Sequence, residues 1–360
     1  MLTLDGSHGE GGGQVLRTAL SLAVLLRRPV SITRIRERRP KPGLQPQHLT
    51  VVRALAAVSD ARVQGDALDS MEISFEPRIL RGGHYRFDVG AMTGSAGSVS
   101  LLFQALLLPL ARAEAASRLT LVGGTHVLWS PTVDYVTGVF LPVLREIGVD
   151  AAVTLRRRGW YPAGGGEIEA VITPGRGLRA LRWETPAGPP RLAGISTVSR
   201  LPVTIAERQR QQALARIGER RLQADIAVVG DDGALGPGTS LLLTASGPGR
   251  LAGFCALGRR GLRAEAVADA AVDPLLAYLD SGAAVDDHLA DQLLPFLALA
   301  PQPSVLTCPS ISEHLRTVAW VVERLLPTRV SFDEGPPARV TVIPDAGGPG
   351  VPTTLDRTAS

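Results

Sequence analysis

The sequence comprises 360 residues, of which 45% are hydrophobic, and its 38 lysines and arginines exceed its 34 aspartates and glutamates to give a net charge of +4. A chain of this length can bury a substantial core and is typical of two domains, or of one large domain with an insertion. The longest apolar stretches, such as residues 101–113, are too short for a membrane span, and the amino terminus is typical of a strand rather than a signal peptide. Two cysteines, Cys255 and Cys308, provide neither a disulfide framework nor a CxxC metal pair. Composition therefore argues against a membrane protein and predicts a cytoplasmic one.

The positive charge is carried almost wholly by arginine, because Lys41 is the only lysine. Local runs at residues 34–39 and 156–158 permit nucleic acid as a partner, since planar guanidinium groups bind phosphate in bidentate fashion. A general arginine and alanine bias in the genome of origin explains the charge equally well. Charge alone leaves these two interpretations open.

The first elements in chain order are a strand at residues 2–5, a glycine-rich loop that contains Glu10, and a helix at residues 14–26. Three successive glycines let backbone amides approach a phosphate, and the following helix directs its positive end towards an anion. The loop matches neither the GxGxxG pattern of dinucleotide folds nor a GxxxxGK[ST] phosphate loop. Glu10 is either a ligand of a divalent cation that bridges phosphates or a solvated turn residue.

The pattern of strands and helices recurs three times, in the order βαβαββ, and predicts a pseudo-threefold α+β fold. The first unit continues with a strand at 29–35, a helix at 46–58 and strands at 61–64 and 71–75. The second unit has a strand at 86–89, a helix at 98–113, a strand at 118–122, a helix at 131–147 and strands at 150–155 and 167–172. The third has a helix at 286–298, a strand at 303–307, a helix at 312–326 and strands at 328–332 and 338–343.

An insertion interrupts the third unit. After a strand predicted at 178–183, a Pro- and Gly-rich segment leads into helices at 203–216 and 263–280 and strands at 224–229, 239–245 and 250–257, which indicate a small α/β domain. The predicted boundaries are 1–184 for the main repeat domain, 185–280 for the inserted domain, 281–343 for the rest of the main domain and 344–360 for a disordered tail.

His314 lies in the first turn of the helix predicted at 312–326, where Ser310 and Glu313 have capping-box spacing. The positive end of the helix dipole disfavours imidazolium there, so a neutral nucleophilic nitrogen is expected. The alternative is an ordinary exposed histidine near a helix start. Ligases that transfer adenylyl groups usually use a lysine in a KxDG motif, which Lys41 lacks, so histidine is the better candidate for a covalent nucleotide.

Three arginines, Arg17, Arg36 and Arg39, lie close to the glycine loop in sequence. Three guanidinium groups beside such a loop suggest a clamp for a polyphosphate or an RNA end. Any one of these arginines taken alone is better explained by a solvated, charged strand edge.

Polar residues on two predicted helices could contact the rest of a nucleotide. Asp291 and Gln292 lie in the first turns of the helix at 286–298, although the helix dipole alone favours an aspartate there. Gln104 lies in an otherwise apolar helix and needs a hydrogen-bond partner if it is buried, either a ligand or backbone. A second glycine triplet, at residues 164–166, favours close backbone packing rather than a ligand.

The sequence resembles the RNA 3′-terminal phosphate cyclase family from about residue 3 to residue 343. The motifs that carry the resemblance are LDG at 4–6, GEGGGQ at 9–14, KPGL at 41–44 with QHL at 47–49, YPAGGG at 161–166, GPG at 236–238, LADQL at 289–293, HLRT at 314–317 and VVER at 321–324. The resemblance implies three repeats like the carboxyl-terminal domain of translation initiation factor 3, with a smaller inserted domain. It also implies the catalytic branch of the family.

The chemistry that the resemblance implies is an attack by His314 on the α-phosphate of ATP, which releases pyrophosphate and leaves a histidine–AMP phosphoramidate. AMP would then pass to the 3′-phosphate of RNA, and the adjacent 2′-hydroxyl would displace it to give a 2′,3′-cyclic phosphate. Glu10 matches a ligand of a divalent cation, Mg or Mn, and Arg17, Arg36 and Arg39 match positions that bind phosphates or the RNA end. The positions that match the adenosine pocket are Gln104, Pro131, His288, Leu289, Ala290, Asp291 and Gln292.

The sequence departs from the family pattern at two places. His288 stands where relatives often have a tyrosine that stacks on adenine, and an imidazole offers less stacking area. Residues 125–131 deviate from the expected Asn- and Pro-rich pattern. Both departures concern the adenosine contacts rather than His314.

Two alternatives to the enzyme come from different classes. The first is a non-catalytic relative that binds RNA in ribosome assembly, but such proteins lack the nucleophilic histidine and much of the nucleotide site. The second is an enolpyruvyl transferase, whose repeated units give a similar rhythm but which has no use for a histidine nucleophile. The expected partners are ATP and RNA with a 3′-phosphate end, and the oligomeric state is left open, with a homodimer compatible with the sequence.

Overall fold

The computed structural model describes residues 1–91, 96–175 and 177–345. Helices and small mixed sheets make up these residues, which confirms the α+β class. Nearly all of the tail predicted as disordered, from residue 346 on, lies outside the described residues. In the described part of the chain, none of the helices combines the length and the hydrophobicity needed to cross a membrane.

Three of the four-stranded sheets formed by the described residues share one strand order. In each, the first strand pairs parallel with the second, and the last strand pairs antiparallel with both the second and the third. Alternation explains the inward faces: in the strand Gly166–Thr173, Ile168, Ala170 and Ile172 are buried and their neighbours are not. The strands of these sheets are β1 (Leu2–Asp5), β2 (Val30–Thr33), β3 (Arg62–Gln64) and β4 (Ile73–Glu76); β5 (His84–Asp88), β6 (Ser117–Gly123), β7 (Asp150–Arg157) and β8 (Gly166–Thr173); β9 (Arg182–Trp183), β14 (Ser304–Cys308), β15 (Thr328–Asp333) and β16 (Ala338–Pro344).

The helices of these three units meet in the middle of the molecule. The central helix, α1 (Gly13–Leu26), packs against α2 (Pro46–Ser59), α3 (Val99–Leu110) and α9 (Glu313–Leu325), and α8 (Asp287–Leu297) packs against α9. A helix surrounded by partners is expected to be apolar on most faces, and α1 is buried along nearly its whole length. The second unit also contains the short helices α4 (Val133–Tyr135) and α5 (Leu141–Glu146).

The helix predicted at 131–147 is not a single α-helix. Residues Val136–Phe140 form a π-helical segment between α4 and α5. Hydrophobic periodicity cannot distinguish a π-helical segment of this length from a regular helix. A single π-helical turn adds only about one residue to the apolar pattern. The segment matters for the site, since Tyr135 and Phe140 at its two ends line the cavity described below.

The segment predicted as an insertion has its own sheet and its own apolar cluster. Its strands are β10 (Arg191–Ser199), β11 (Ala224–Asp231), β12 (Gly238–Gly247) and β13 (Arg250–Leu257), and its helices are α6 (Thr204–Glu219) and α7 (Ala264–Ser281). The strand β10 is missing from the sequence prediction, although it lies in the interior of the sheet, between β11 and β12. Its glycine and serines weaken the apolar alternation that identifies a strand. The helices pack on one face of the sheet and enclose a cluster separate from the main core.

Candidate active site

A cavity of about 460 Å³ opens between α1, α3, α8, the start of α9, the loop at residues 127–132 and strand β13 of the inserted segment. Part of its lining is polar and part is apolar. The polar side chains include Gln14, Arg17, Gln104, His288, Asp291, Gln292 and His314, and the apolar ones include Leu101, Leu108, Phe140, Pro295 and Phe296. A pocket with an apolar wall and a few converging polar groups is typical of a small-molecule site.

His314 is the second residue of α9 and faces this cavity. The helix begins at Glu313, and its amino-terminal cap is Ser312, whose hydroxyl accepts a hydrogen bond from the backbone N–H of Leu315 at 3.1 Å. The predicted capping box at Ser310 is therefore wrong. The hydroxyl of Ser310 instead donates to a carboxylate oxygen of Asp287 at 3.1 Å, which ties the loop before α9 to the start of α8.

The imidazole of His314 lies between two carboxylates. Its Nε2 is 2.8 Å from Oε2 of Glu10, and its Nδ1 is 3.9 Å from Oδ2 of Asp291, beyond hydrogen-bond distance. The same oxygen of Glu10 accepts a hydrogen bond from Arg39 at 3.3 Å. Burial lowers the pKa of His314, the carboxylate of Glu10 opposes this, and Arg17 and other neighbouring positive groups add to it. The neutral imidazole is therefore favoured, as its place at the helix start predicts.

The glycine loop reaches His314 because it lies directly on α9. Gly9 adopts a left-handed backbone conformation, with φ of 59°, and an alanine Cβ at this position would be 2.1 Å from Oγ1 of Thr317. Only glycine permits both the conformation and the approach. This contact brings the next residue, Glu10, to the imidazole.

Arg17 projects from the first turns of α1 into the cavity, where it donates a hydrogen bond to Gln14 at 2.6 Å. Burial lowers the pKa of Arg17 to about 10, and the nearby carboxylate of Asp291 opposes the shift, so the guanidinium is charged at neutral pH. Gly13 makes room for this arrangement, because a Cβ there would be 2.4 Å from Nε2 of His48 and 2.8 Å from Arg17. Burial, together with Arg17 and Arg36, lowers the pKa of His48 to about 3, so His48 is neutral.

The two arginines of the following loop have different surroundings. Arg39 contacts Glu10 and lies beside Gly12 at the edge of the site. Arg36 donates hydrogen bonds to the backbone carbonyls of Lys41 and Gly43, so its guanidinium supports its own loop. Neither arginine lines the cavity itself.

The helix α8 presents alternate faces to the cavity and to the core. His288, Asp291 and Gln292 line the cavity, whereas the side chains of Leu289 and Ala290 are buried in the hydrophobic core. Burial raises the pKa of Asp291 well above the usual range, and the carboxylates of other acidic residues nearby add to this, whereas Arg17 opposes it.

Asp286 fixes the start of α8. Its buried carboxylate caps the helix by accepting from the backbone N–H of Leu289 at 2.9 Å, and it also accepts from Tyr135 at 3.0 Å and from the backbone N–H of Gly253 at 3.0 Å. One carboxylate thus joins α8 to the π-helical segment and to the inserted sheet. The sequence carries a signal for the cap alone, because the other two partners are distant in the chain.

Gln104 and Gln292 form a pair across the cavity. Nε2 of Gln104 donates to Oε1 of Gln292 at 2.6 Å, although the two residues are 188 positions apart. This supplies the partner that a polar group in the apolar helix α3 requires. Pro131 lies in the loop that borders the same cavity.

Sequence reasoning missed several lining residues. Cys255 and Gly253 of the inserted sheet form part of the wall, as do Tyr135 and the exposed Trp129. Their chain positions carry no motif, and the inserted segment contributes only because its sheet packs beside the π-helical segment. His48 belongs to the QHL motif at residues 47–49. That motif is the one sequence signal for its contact with Gly13, but the motif alone does not show which residue His48 contacts.

The donor set for a metal ion is small. Among the described residues, no group of three or more His, Cys, Asp and Glu side chains is placed to bind a metal ion. Glu10 offers one carboxylate next to cationic groups. Such a single carboxylate fits a hard divalent ion when phosphate oxygens of a substrate supply the other ligands.

The residues at the core of this geometry, Glu10, Gln292 and His314, fall within a region that matches a known family. The sequence model of the RNA 3′-terminal phosphate cyclase family matches residues 8–332. The chain belongs to this family.

Relatives of the cyclase family align over nearly the whole chain. An RNA 3′-terminal phosphate cyclase of Methylococcus capsulatus is 46% identical over 334 residues, which cover 92% of this chain and 92% of the relative. That of Nostoc punctiforme is 43% identical and covers 93% and 97%, and that of Pyrobaculum neutrophilum is 39% identical and covers 96% and 99%. Among solved structures, the enolpyruvyl transferase NikO of Streptomyces tendae aligns with 17% identity over 54% of this chain and 34% of its own, at a TM-score of 0.25, which is too low to bear on the fold.

Proposed function

We propose that this chain converts the 3′-terminal phosphate of RNA to a 2′,3′-cyclic phosphate through a covalent intermediate on His314. Membership of the cyclase family makes the chain an enzyme of the ligase class that uses ATP. The observation that carries the finer proposal is the position of the His314 imidazole. It combines a lowered pKa, a helix amino terminus and direct contact with the glycine loop at the edge of a nucleotide-sized cavity.

The first step is attack by Nε2 of His314 on the α-phosphorus of ATP. At 2.8 Å from the carboxylate of Glu10, Nε2 carries the hydrogen of that contact, so the attacking form is the other neutral tautomer, which has its proton on Nδ1 and a free lone pair on Nε2. A P–N bond forms, the P–O bond to the β-phosphate breaks and pyrophosphate leaves. We assign Nε2 because it faces the glycine loop and Glu10, whereas Nδ1 faces the buried Asp291. A neutral imidazole is required, and the lowered pKa supplies it.

In the second step an oxygen of the RNA 3′-phosphate attacks the same phosphorus. The P–N bond breaks, its electron pair returns to the imidazole, and the RNA carries a 3′-adenylyl group. The terminal 2′-hydroxyl then attacks the 3′-phosphorus, loses its proton and expels AMP. Activation is needed because a phosphate monoester has no good leaving group until AMP is attached.

Arg17 lines the cavity beside His314, and Arg39 donates a hydrogen bond to Glu10, which contacts the imidazole. We propose that they stabilise negative charge on the transferring phosphoryl group, as preorganised cations do in phosphoryl transfer. We propose that Arg36 supports the loop that carries Arg39. Arg36 would also approach the RNA end. Glu10 would hold a divalent ion, Mg or Mn, together with phosphate oxygens, and that ion would neutralise phosphate charge.

The adenosine of ATP is proposed to occupy the cavity between α3 and α8. Gln104 and Gln292 would meet its ribose or base, and Pro131 and His288 would border the ring. Asp291 would face the same end of the cavity, and Leu289 and Ala290 would contribute backbone and core packing. The apolar lining supports this placement, since an adenine ring prefers stacking and apolar contact on its faces.

The organisation of the chain supports three related proposals. The shared strand order of three sheets fits units like the carboxyl-terminal domain of translation initiation factor 3. The two separate apolar clusters fit a main domain at 1–184 and 281–343 with an inserted domain at 185–280. The cytoplasmic location and the oligomeric state, including a homodimer, stay predictions.

An RNA oligonucleotide with a 3′-phosphate tests the function directly. Incubated with the protein, ATP and Mg²⁺ or Mn²⁺, it is expected to become resistant to phosphatase while one AMP and one pyrophosphate form per end. A matched oligonucleotide with a terminal 2′-deoxyribose lacks the attacking hydroxyl and is expected to stop at the adenylylated end. The non-catalytic alternative predicts instead that RNA is retained while ATP is not consumed, and that result would overturn the proposal.

A further inference from the structure

Three consecutive residues of the glycine loop contact α9 at positions three residues apart. His8 meets Trp320, Gly9 meets Thr317 and Glu10 meets His314. Residues three apart lie on one face of a helix. The loop therefore runs along one face of α9, in the opposite direction to the helix, and ends at the imidazole.

The contact farthest from His314 is a stack of rings. The imidazole of His8 lies flat on the indole of Trp320, with ring centroids 4.0 Å apart and planes inclined by 15°. The guanidinium of Arg324, one turn further along α9, lies over the indole at 5.5 Å from its centroid. Both ring side chains are half-buried. Stacked contacts of this kind fix position and orientation together.

Between residues 8 and 13, only His8 and Glu10 have side chains that can anchor the loop to α9. On the strand side, Ser7 is buried and held by Asp5, which accepts hydrogen bonds from its hydroxyl at 2.7 Å and its backbone N–H at 2.9 Å. Beyond that point the loop consists mainly of glycine, which has the widest backbone freedom of any residue. Within residues 8–13, His8 is the only ring side chain.

The stack itself is remote from the reacting atoms. Trp320 follows His314 by six residues, which places it about 9 Å along the helix. Neither His8 nor Trp320 lines the cavity. The stack therefore influences Glu10 and His314 through the geometry of the loop on α9 rather than by direct contact.

We propose that His8 and Trp320 are positioning residues that set the register of the glycine loop on α9 and thereby place the carboxylate of Glu10 beside the imidazole of His314. The inference rests on the proposed function of His314, because its effect is read in adenylyl transfer. It predicts that losing either ring slows transfer to the imidazole without weakening ATP binding. A misplacement of about 1 Å at a reacting group can cost on the order of 100-fold in rate.

The test compares variants that keep or remove the stacking ring. Trp320→Phe and His8→Phe keep a planar ring, whereas Trp320→Leu and His8→Ala remove it, and the double variant His8→Ala/Trp320→Leu removes both. Arg316→Ala is the matched control, since Arg316 lies on α9 and pairs with Glu334 away from the cavity. Each protein is incubated with α-labelled ATP and Mg²⁺, and the rate constant of covalent labelling is measured against ATP concentration.

We expect Trp320→Leu and His8→Ala to lower the rate constant at saturating ATP by about 10- to 100-fold, with the half-saturating ATP concentration unchanged. The ring-keeping variants and Arg316→Ala should stay near the wild type, and the double variant should be no slower than the slower single one. A contribution to stability alone would reduce the amount of labelled protein or the melting temperature but leave the rate constant unchanged, and that result would overturn the inference. A wild type that takes up no label would instead refute the proposed function.

Discussion

Replacing Gly9 with alanine tests whether the contact between the glycine loop and α9 builds the site. The added Cβ would lie 2.1 Å from Oγ1 of Thr317, so the loop must withdraw by about 1.3 Å to reach van der Waals distance. The φ of 59° at this position adds a cost of about 1–2 kcal/mol for any residue with a side chain. Withdrawal of that size would lengthen the 2.8 Å contact between Glu10 and His314 beyond hydrogen-bond distance.

The expected result is a loss of about 100-fold in the rate constant of His314 labelling, which corresponds to about 2.7 kcal/mol in the activation barrier. The assay is labelling with α-labelled ATP under single-turnover conditions. Gly138→Ala is the matched control, because a Cβ at Gly138 meets nothing within 4 Å and its backbone is not left-handed.

A second variant decides the cause of the loss. Thr317→Ala removes the clashing hydroxyl and leaves the new Cβ 3.3 Å from the Cβ of residue 317. The double variant Gly9→Ala/Thr317→Ala should therefore recover a large part of the rate, apart from the backbone cost. If Gly9→Ala labels as fast as the wild type, or if the double variant is slower than the single one, the contact does not set the geometry of the site.

Three further predictions concern titration and stability. Burial lowers the pKa of His314 from 6.5, so the neutral imidazole persists into mildly acidic buffer. The labelling rate constant should therefore stay level as the pH falls through 6.5 and should drop only below that value. A drop centred at 6.5 or above would contradict the lowered pKa. In the folded state the pKa of His48 is about 3, whereas in the unfolded chain it is near 6.5. The unfolded state therefore binds a proton first as the pH falls between these values. The free energy of unfolding should fall over that range, by about 1.4 kcal/mol per pH unit from this group. In urea titrations, His48→Gln should reduce that slope, and an unchanged slope would show that His48 titrates normally. Asp286→Ala leaves the hydroxyl of Tyr135 and two backbone N–H groups without their buried acceptor, and it should lower the free energy of unfolding by about 3 kcal/mol or more. Asp286→Asn keeps one acceptor oxygen and should lower it less. Equal losses in the two variants would contradict the role of the carboxylate.

The sequence alone is sufficient to predict the bounds of elements that have a strong hydrophobic periodicity. The central helix α1, predicted at 14–26, runs from Gly13 to Leu26, and the strand predicted at 2–5 is β1. In such segments the same apolar residues define the element and the buried face, so the local pattern and the tertiary packing agree. The first residue of a helix is harder to predict. Two serines, Ser310 and Ser312, precede α9, and local spacing does not show which of them caps the helix.

Contacts that depend on three-dimensional packing lie beyond sequence reasoning. The pair formed by Gln104 and Gln292 joins two helices from different units, and the partners of Asp286 come from three parts of the chain. The sequence identified each of Glu10 and His314 as a candidate but carried no sign of their contact. The stack of His8 on Trp320 had no signal at all, since neither residue belongs to a repeat or to a run of like residues.

The central claim is that His314 becomes covalently linked to AMP. The most direct measurement is incubation of the wild type and of His314→Ala with α-labelled ATP and a divalent cation, followed by acid and alkali treatment of the labelled protein. We expect a label on the wild type that is lost in acid and stable in alkali, as a phosphoramidate is, and no label on His314→Ala. An unlabelled wild type, or equal labelling of His314→Ala, would contradict it.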